Sequence, residues 1–179
     1  MSIEKFYYDI LHIRSNQLSE EDIIKIIEQT IELQMQPIKA ASDTMEGLCK
    51  VASYNIGEKL KQFDINVQYL NTKFILGCFE HVAIIIDYKI NDVINYILVD
   101  TTFEQFIPKK FCERNSALHE WPSKTLENRN PELYRNLITK GYSKINPKDF
   151  EDYLKSFSSE YQMNENILLD MILKDQKRK

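Results

Sequence analysis

The sequence predicts an α+β fold, and the spacing of its apolar residues carries that expectation. They recur about every fourth position up to residue 63, about every second position from 65 to 103, and at helical spacing again after residue 131. A mostly antiparallel sheet, preceded and followed by helices, satisfies all three intervals.

The elements follow in chain order. Residues 3 to 13 carry Ile3, Phe6, Tyr7, Ile10, Leu11 and Ile13 at helix-like intervals. In "SEEDIIKIIEQTIELQMQ" Ser19 is placed to cap a helix with Asp22 at its third position, and Ile23, Ile27, Ile31 and Met35 fall on one face. Pro37 is expected at or just beyond its end, with Pro37 to Gly47 a connection. A second amphipathic helix is expected from Cys49 to Gln62, burying Ala52, Ile56, Leu60 and Phe63.

Three strands come next. "INVQYLNTKFIL" reads as one, with a turn near Asn71 and Thr72, "HVAIIIDY" as a second and "VINYILVDTTF" as a third, all rich in β-branched and aromatic residues. The short polar "KINDV" joins the last two. Helical spacing returns in "NPKDFEDYLKSFSSEY" and "NENILLDMILKDQ", whereas the segment from Cys112 to Leu137 reads as loop with one short helix near Pro131 to Ile138. Helices from both ends are expected to pack on the same core.

The chain has 179 residues, enough for one domain spanning 1–179 with a core of its own. A formal net charge of -4 gives no broad positive field for nucleic acid, and the terminal "KDQKRK" reads as a solvated tail. No apolar run reaches the length of a membrane span, about 18 residues, and the charged N-terminal segment is unlike a cleaved signal peptide. The expected location is cytoplasmic, or outside the cell as a secreted effector without such a signal. Cys49, Cys78 and Cys112 are too widely spaced for a metal pair or a disulfide framework, which points to a reducing compartment. No cofactor or metal is expected.

Cys49 stands out among the three. A thiol at a helix N-terminus lies beside backbone N–H groups that lack helical partners and favour the thiolate, and the Cys49 N–H can donate to a developing oxyanion. Cys78 and Cys112 have no such context and read as core residues. His81 opens an apolar strand, and Asp100 ends another, where a carboxylate needs a compensating partner. A hairpin centred between Ile90 and Asn91 sets His81 opposite Asp100 and Ile85 opposite Tyr96, and a slip by one residue turns one of the pair away. Cys49, His81 and Asp100 then form a nucleophile, base and orienting acid for acyl transfer through a thioester. His119 is a weaker base candidate, and "HEWP" reads as packing around Trp121 as an aromatic anchor.

These residues resemble the transglutaminase-like core of the papain-like cysteine enzymes. "GLCKVASYNIGEKL" is similar to the nucleophile helix, "HVAIII" to the histidine strand and "YILVDTTFEQF" to the aspartate strand, so the similarity spans residues 46–106. One departure is at position 83: the family often follows the histidine with alanine and then tryptophan, whereas this chain has "HVAI". The resemblance implies a papain-like core, catalytic residues Cys49, His81 and Asp100 in that order, and a helper glutamine for the oxyanion, for which Gln34 and Gln36 are the upstream candidates. It also implies a protein or peptide substrate. The family hosts glutamine deamidases, peptidases and amidases, protein-glutamine transglutaminases and inactive members. Small size favours a hydrolase, with glutamine deamidation first, peptidase or amidase next, then cross-linking. A noncatalytic protein-binding module is the alternative from another class.

Overall fold

The computed structural model describes residues 18–42, 47–74, 79–107 and 121–157. Expectations for the segment 3 to 13, Cys78, Cys112, His119 and the final helix lie outside them.

Helix α1, Glu20–Ala41, starts as its sequence prescribes. The Ser19 side chain accepts from the Asp22 N–H, and the Asp22 carboxylate accepts from the Ser19 N–H at 3.0 Å. Its end differs from expectation, because the helix runs through Pro37 to Ala41. The proline removes one N–H from the helical ladder. Burial of Met35 and Ile38 on either side of it keeps the last turn in place, and the Ser42 N–H closes the end on the Ile38 carbonyl.

Helix α2, Cys49–Lys61, buries Ala52, Ile56 and Leu60 as the spacing indicated. It leads into β1, Asn66–Phe74, which passes through Asn71 and Thr72 as continuous strand, so the expected turn there is absent. Strands β2, Phe79–Ile90, and β3, Val93–Val99, follow, then a short 3₁₀ turn, Phe103–Phe106. Three further helices are α3, Trp121–Arg129, α4, Pro131–Lys140, and α5, Pro147–Phe157. Between α4 and α5 lies β4, Tyr142–Ile145, a strand the sequence reading missed.

The four strands form an antiparallel sheet in the order β1-β2-β3-β4. The fold is therefore α+β. Helices cover both faces of the sheet, so the expectation of a single shared core is corrected to two. Ile84, Ile86, Ile97 and Val99 pack with α1 and α2 on one face, while Ala83, Ile85, Tyr96 and Leu98 pack with the 3₁₀ turn and α3 to α5 on the other. This explains the unbroken "AIII" of β2: both sides of the strand are buried, so no polar residue alternates with the apolar ones.

Trp121 is 51% exposed, which rules out its role as a buried anchor. Its neighbour Pro122 is buried in the first turn of α3, where a missing N–H costs little. The loop reading of this segment gives way to a helix for that reason.

Gly141 ties the second helical layer to the end of β3. It caps α4 in a left-handed conformation, φ 76°, and its carbonyl accepts from the Asp100 N–H at 2.9 Å. A Cβ at this position would lie 3.1 Å from Thr101 Cγ2 and 3.3 Å from its Cα. Gly141→Ala is expected to cost about 1–2 kcal/mol from the backbone conformation, read as a lower urea midpoint with an unchanged slope. Among the described residues no helix is long and apolar enough to cross a membrane.

Candidate active site

The approach of α2 to the sheet begins at Gly47, whose φ of 74° suits a residue without a Cβ. Leu48 is the N-cap and supplies no side-chain hydrogen bond, and Cys49 is the first helical residue. The expected place of the thiol at a helix start is therefore the observed one.

Both polar groups of Val82 meet side chains from this helix. The Ser53 hydroxyl donates to the Val82 carbonyl at 2.8 Å, and the Val82 N–H donates to the Cys49 sulfur. Pairing of β2 with β3 starts at Ile84 and Val99, so β3 has already ended beside Val82. The first turn of α2 takes the place that a longer β3 would fill, and this brings a helix residue level with His81.

The β2–β3 register differs from the expected one by two residues. Ile85 faces Leu98, and the turn is Asn91–Asp92, both with positive φ (50° and 62°). These are the values of a type I′ hairpin turn, which suits Asn and Asp. A shift of two keeps every side chain on its face, whereas a shift of one would not. His81 and Asp100 thus still share a face, as diagonal rather than direct neighbours, and His81 Nε2 lies 2.7 Å from Asp100 Oδ2.

Asp100 is held from three directions. The Tyr153 hydroxyl of α5 donates to Oδ2 at 2.8 Å, and the Thr102 N–H donates to Oδ1 at 3.3 Å, with the Thr102 hydroxyl at 3.5 Å. The imidazole is clamped by Phe106, edge-on at 4.9 Å, and Phe157, stacked at 5.4 Å. On its other nitrogen, Nδ1, the Gln105 side-chain amide lies at 3.2 Å. The site thus draws on both helical layers: the thiol comes with α2, the clamp and the Tyr153 hydroxyl with the opposite one.

The electrostatics couple the sulfur to the ring. Burial alone pushes the Cys49 thiol up, but its hydrogen bond to His81, the charge of that ring and the Val82 N–H together bring it below the ordinary thiol range. For His81, burial pushes down, and the Asp100 charge and hydrogen bond, with those of Cys49, raise it to about 9. Each group favours the charged form of the other. Cys49, His81 and Asp100 are nearly inaccessible, at 4%, 0% and 1% exposure of the whole residue.

Gln34 and Gln36 lie within α1, Gln34 half-buried and Gln36 exposed to solvent. Among the described residues no cluster of His, Cys, Asp or Glu is arranged to hold a metal ion. Sequence reasoning missed Thr102, Gln105, Phe106, Tyr153 and Phe157. Thr102 had a local signal, two residues beyond an aspartate in a turn-forming segment. Gln105 and Phe106 follow within one 3₁₀ turn, whereas Tyr153 and Phe157 come from a distant helix that nothing near Asp100 announces. No protein family, curated protein or solved structure matches the chain.

Proposed function

We propose that this chain is a cysteine hydrolase built on a papain-like, transglutaminase-like core, and that it deamidates a glutamine side chain of a protein substrate. The observation that supports this reading is the line of contacts from the Cys49 sulfur through the His81 ring to the Asp100 carboxylate, with the sulfur at the first residue of a helix.

In the proposed reaction the Cys49 thiolate attacks the carboxamide carbon, and the carbonyl oxygen becomes an oxyanion beside the Cys49 N–H. The C–N bond breaks, ammonia leaves with the proton held on His81 Nδ1, and a thioester remains. His81 then takes a proton from water as it attacks the thioester, releasing glutamate and restoring the thiol. Asp100 keeps the proton on Nε2 throughout, so that Nδ1 faces the chemistry. Cys49 is 4% exposed as a residue, so a carboxamide has to displace neighbouring groups to reach its sulfur.

The test is mass spectrometry of protein extracts incubated with the wild-type chain or with the chain pre-alkylated on its thiols. A gain of about 1 Da at glutamine, present with the free thiol and lost on alkylation, is the expected product signature. New peptide ends would make it a peptidase and isopeptide bonds a transglutaminase. No difference between the two samples, with extracts that contain the substrate, would overturn the reading.

A further inference from the structure

The Gln105 carboxamide touches the one atom through which the proposed chemistry has to pass. Its Nε2 lies 3.2 Å from His81 Nδ1, and the side chain is buried at 8% exposure. An amide N–H can only donate, so in this contact Nδ1 is the acceptor. The other ring nitrogen then carries the proton and donates to Asp100 Oδ2 at 2.7 Å. When the ring is neutral, this is the tautomer that a general base requires, with its lone pair on Nδ1.

Resting on the reading above, we propose that Gln105 is a positioning residue that aims an N–H at His81 Nδ1, sets the Nε2-protonated tautomer whenever the ring is neutral, and competes with Cys49 for Nδ1, weakening the proton affinity that Asp100 and Cys49 raise. Two contacts bear on the ring from opposite sides of the balance. Asp100 stabilises a proton on the imidazole, and the Gln105 N–H groups oppose a second one at Nδ1, since two donors would then face each other. The backbone gives the amide a fixed origin: the Gln105 N–H bonds the Thr102 carbonyl at 3.0 Å, within the 3₁₀ turn that also carries Phe106 against the ring. Among the described residues, the ionisable groups around the ring are Cys49 from α2 and Asp100 after β3, with the Tyr153 hydroxyl of α5 behind Asp100. Phe106 and Phe157 add no charge.

The test is the titration of the His81 ring followed by NMR in the full-length protein, with the resonance assigned by its loss in His81→Gln. Gln105→Met removes the donor at nearly constant volume and is expected to raise the His81 midpoint by about one pKa unit, a tenfold gain in proton affinity. Gln105→Glu replaces the donor with an acceptor and is expected to raise it further; it serves as the second variant if the methionine chain does not fold. A midpoint that stays in place or falls in Gln105→Met, or that stays in place or falls in Gln105→Glu, would overturn the proposal. Cys49→Ala separates this from the underlying reading: it should move the His81 midpoint down, and a midpoint indifferent to the thiol would remove the pairing and the proposal with it. Lack of acyl-transfer product alongside the expected titrations would count against the enzyme reading alone.

Discussion

Cys49→Ala is expected to lower acyl transfer by roughly five to six orders of magnitude, leaving the residue of rate that binding and an oxyanion site provide without a nucleophile. The same substitution should barely disturb the fold. Alanine at this site removes one buried sulfur and leaves a small cavity, with a cost of about 1 kcal/mol, while Ala52 and Ile56 still seat the helix on the sheet. Substrate binding should persist, which makes the variant a trap for the complex. Cys49→Ser adds a control for shape, because a hydroxyl nearly the size of the thiol stays un-ionised where the thiol does not. Product at the wild-type rate from either variant would rule out the thioester route.

Asp100→Asn has the second largest expected effect, a loss of about 10³- to 10⁴-fold in rate, the scale seen when the orienting acid of a triad becomes an amide. The reason lies in the donor count around the carboxylate. Its Oδ2 accepts from both His81 and Tyr153, and its Oδ1 from the Thr102 N–H, so every position around it calls for an acceptor. An NH₂ group placed at Oδ2 drives the His81 proton to Nδ1, the wrong tautomer for a base; placed at Oδ1 it opposes the Thr102 N–H. Asp100 is 1% exposed, so solvent cannot rescue the mismatch. A stability loss of about 1–3 kcal/mol should accompany the change. Tyr153→Phe separates the two effects, since it removes a donor and leaves the His81–Asp100 contact in place. An Asp100→Asn chain within tenfold of wild-type activity would contradict the assigned role.

Local chemistry made some of this architecture readable from sequence and hid other parts. The Ser19–Asp22 box and the α2 stripe were legible because each is decided within a few residues of chain. The expected register differs by two residues because "IND" carries a type I′ turn at Asn91–Asp92, and the shared face holds because side chains alternate with period two. Strand β4 is hidden by its length, four residues whose pairing with β3 depends on contacts 43 to 49 positions away along the chain. Pro37 lies inside α1 and not at its end because the tertiary burial of Ile38 outweighs the local backbone penalty of the proline, and that burial is invisible in the local sequence. At the site, Cys49, His81 and Asp100 were marked by their positions at element ends. The groups that orient them, Tyr153 and Phe157 above all, come from a helix whose docking no nearby residue reveals.

The coupling of sulfur to imidazole is tested most directly by the rate at which iodoacetamide alkylates Cys49, resolved from the other cysteines by peptide mass spectrometry and compared with His81→Gln. At about pH 6 an ordinary thiol of pKa about 8.5 is less than about 1% thiolate. Because His81 holds its proton up to about 9, it should still be charged there and keep part of Cys49 ionised. With denatured protein as the reference for an ordinary thiol, and the rate followed across pH so that the midpoint of the ionisation and not the absolute rate is compared, the Cys49 midpoint in wild type is predicted to lie below that in His81→Gln. Equal midpoints in the two proteins, both at that of the denatured chain, would contradict the account.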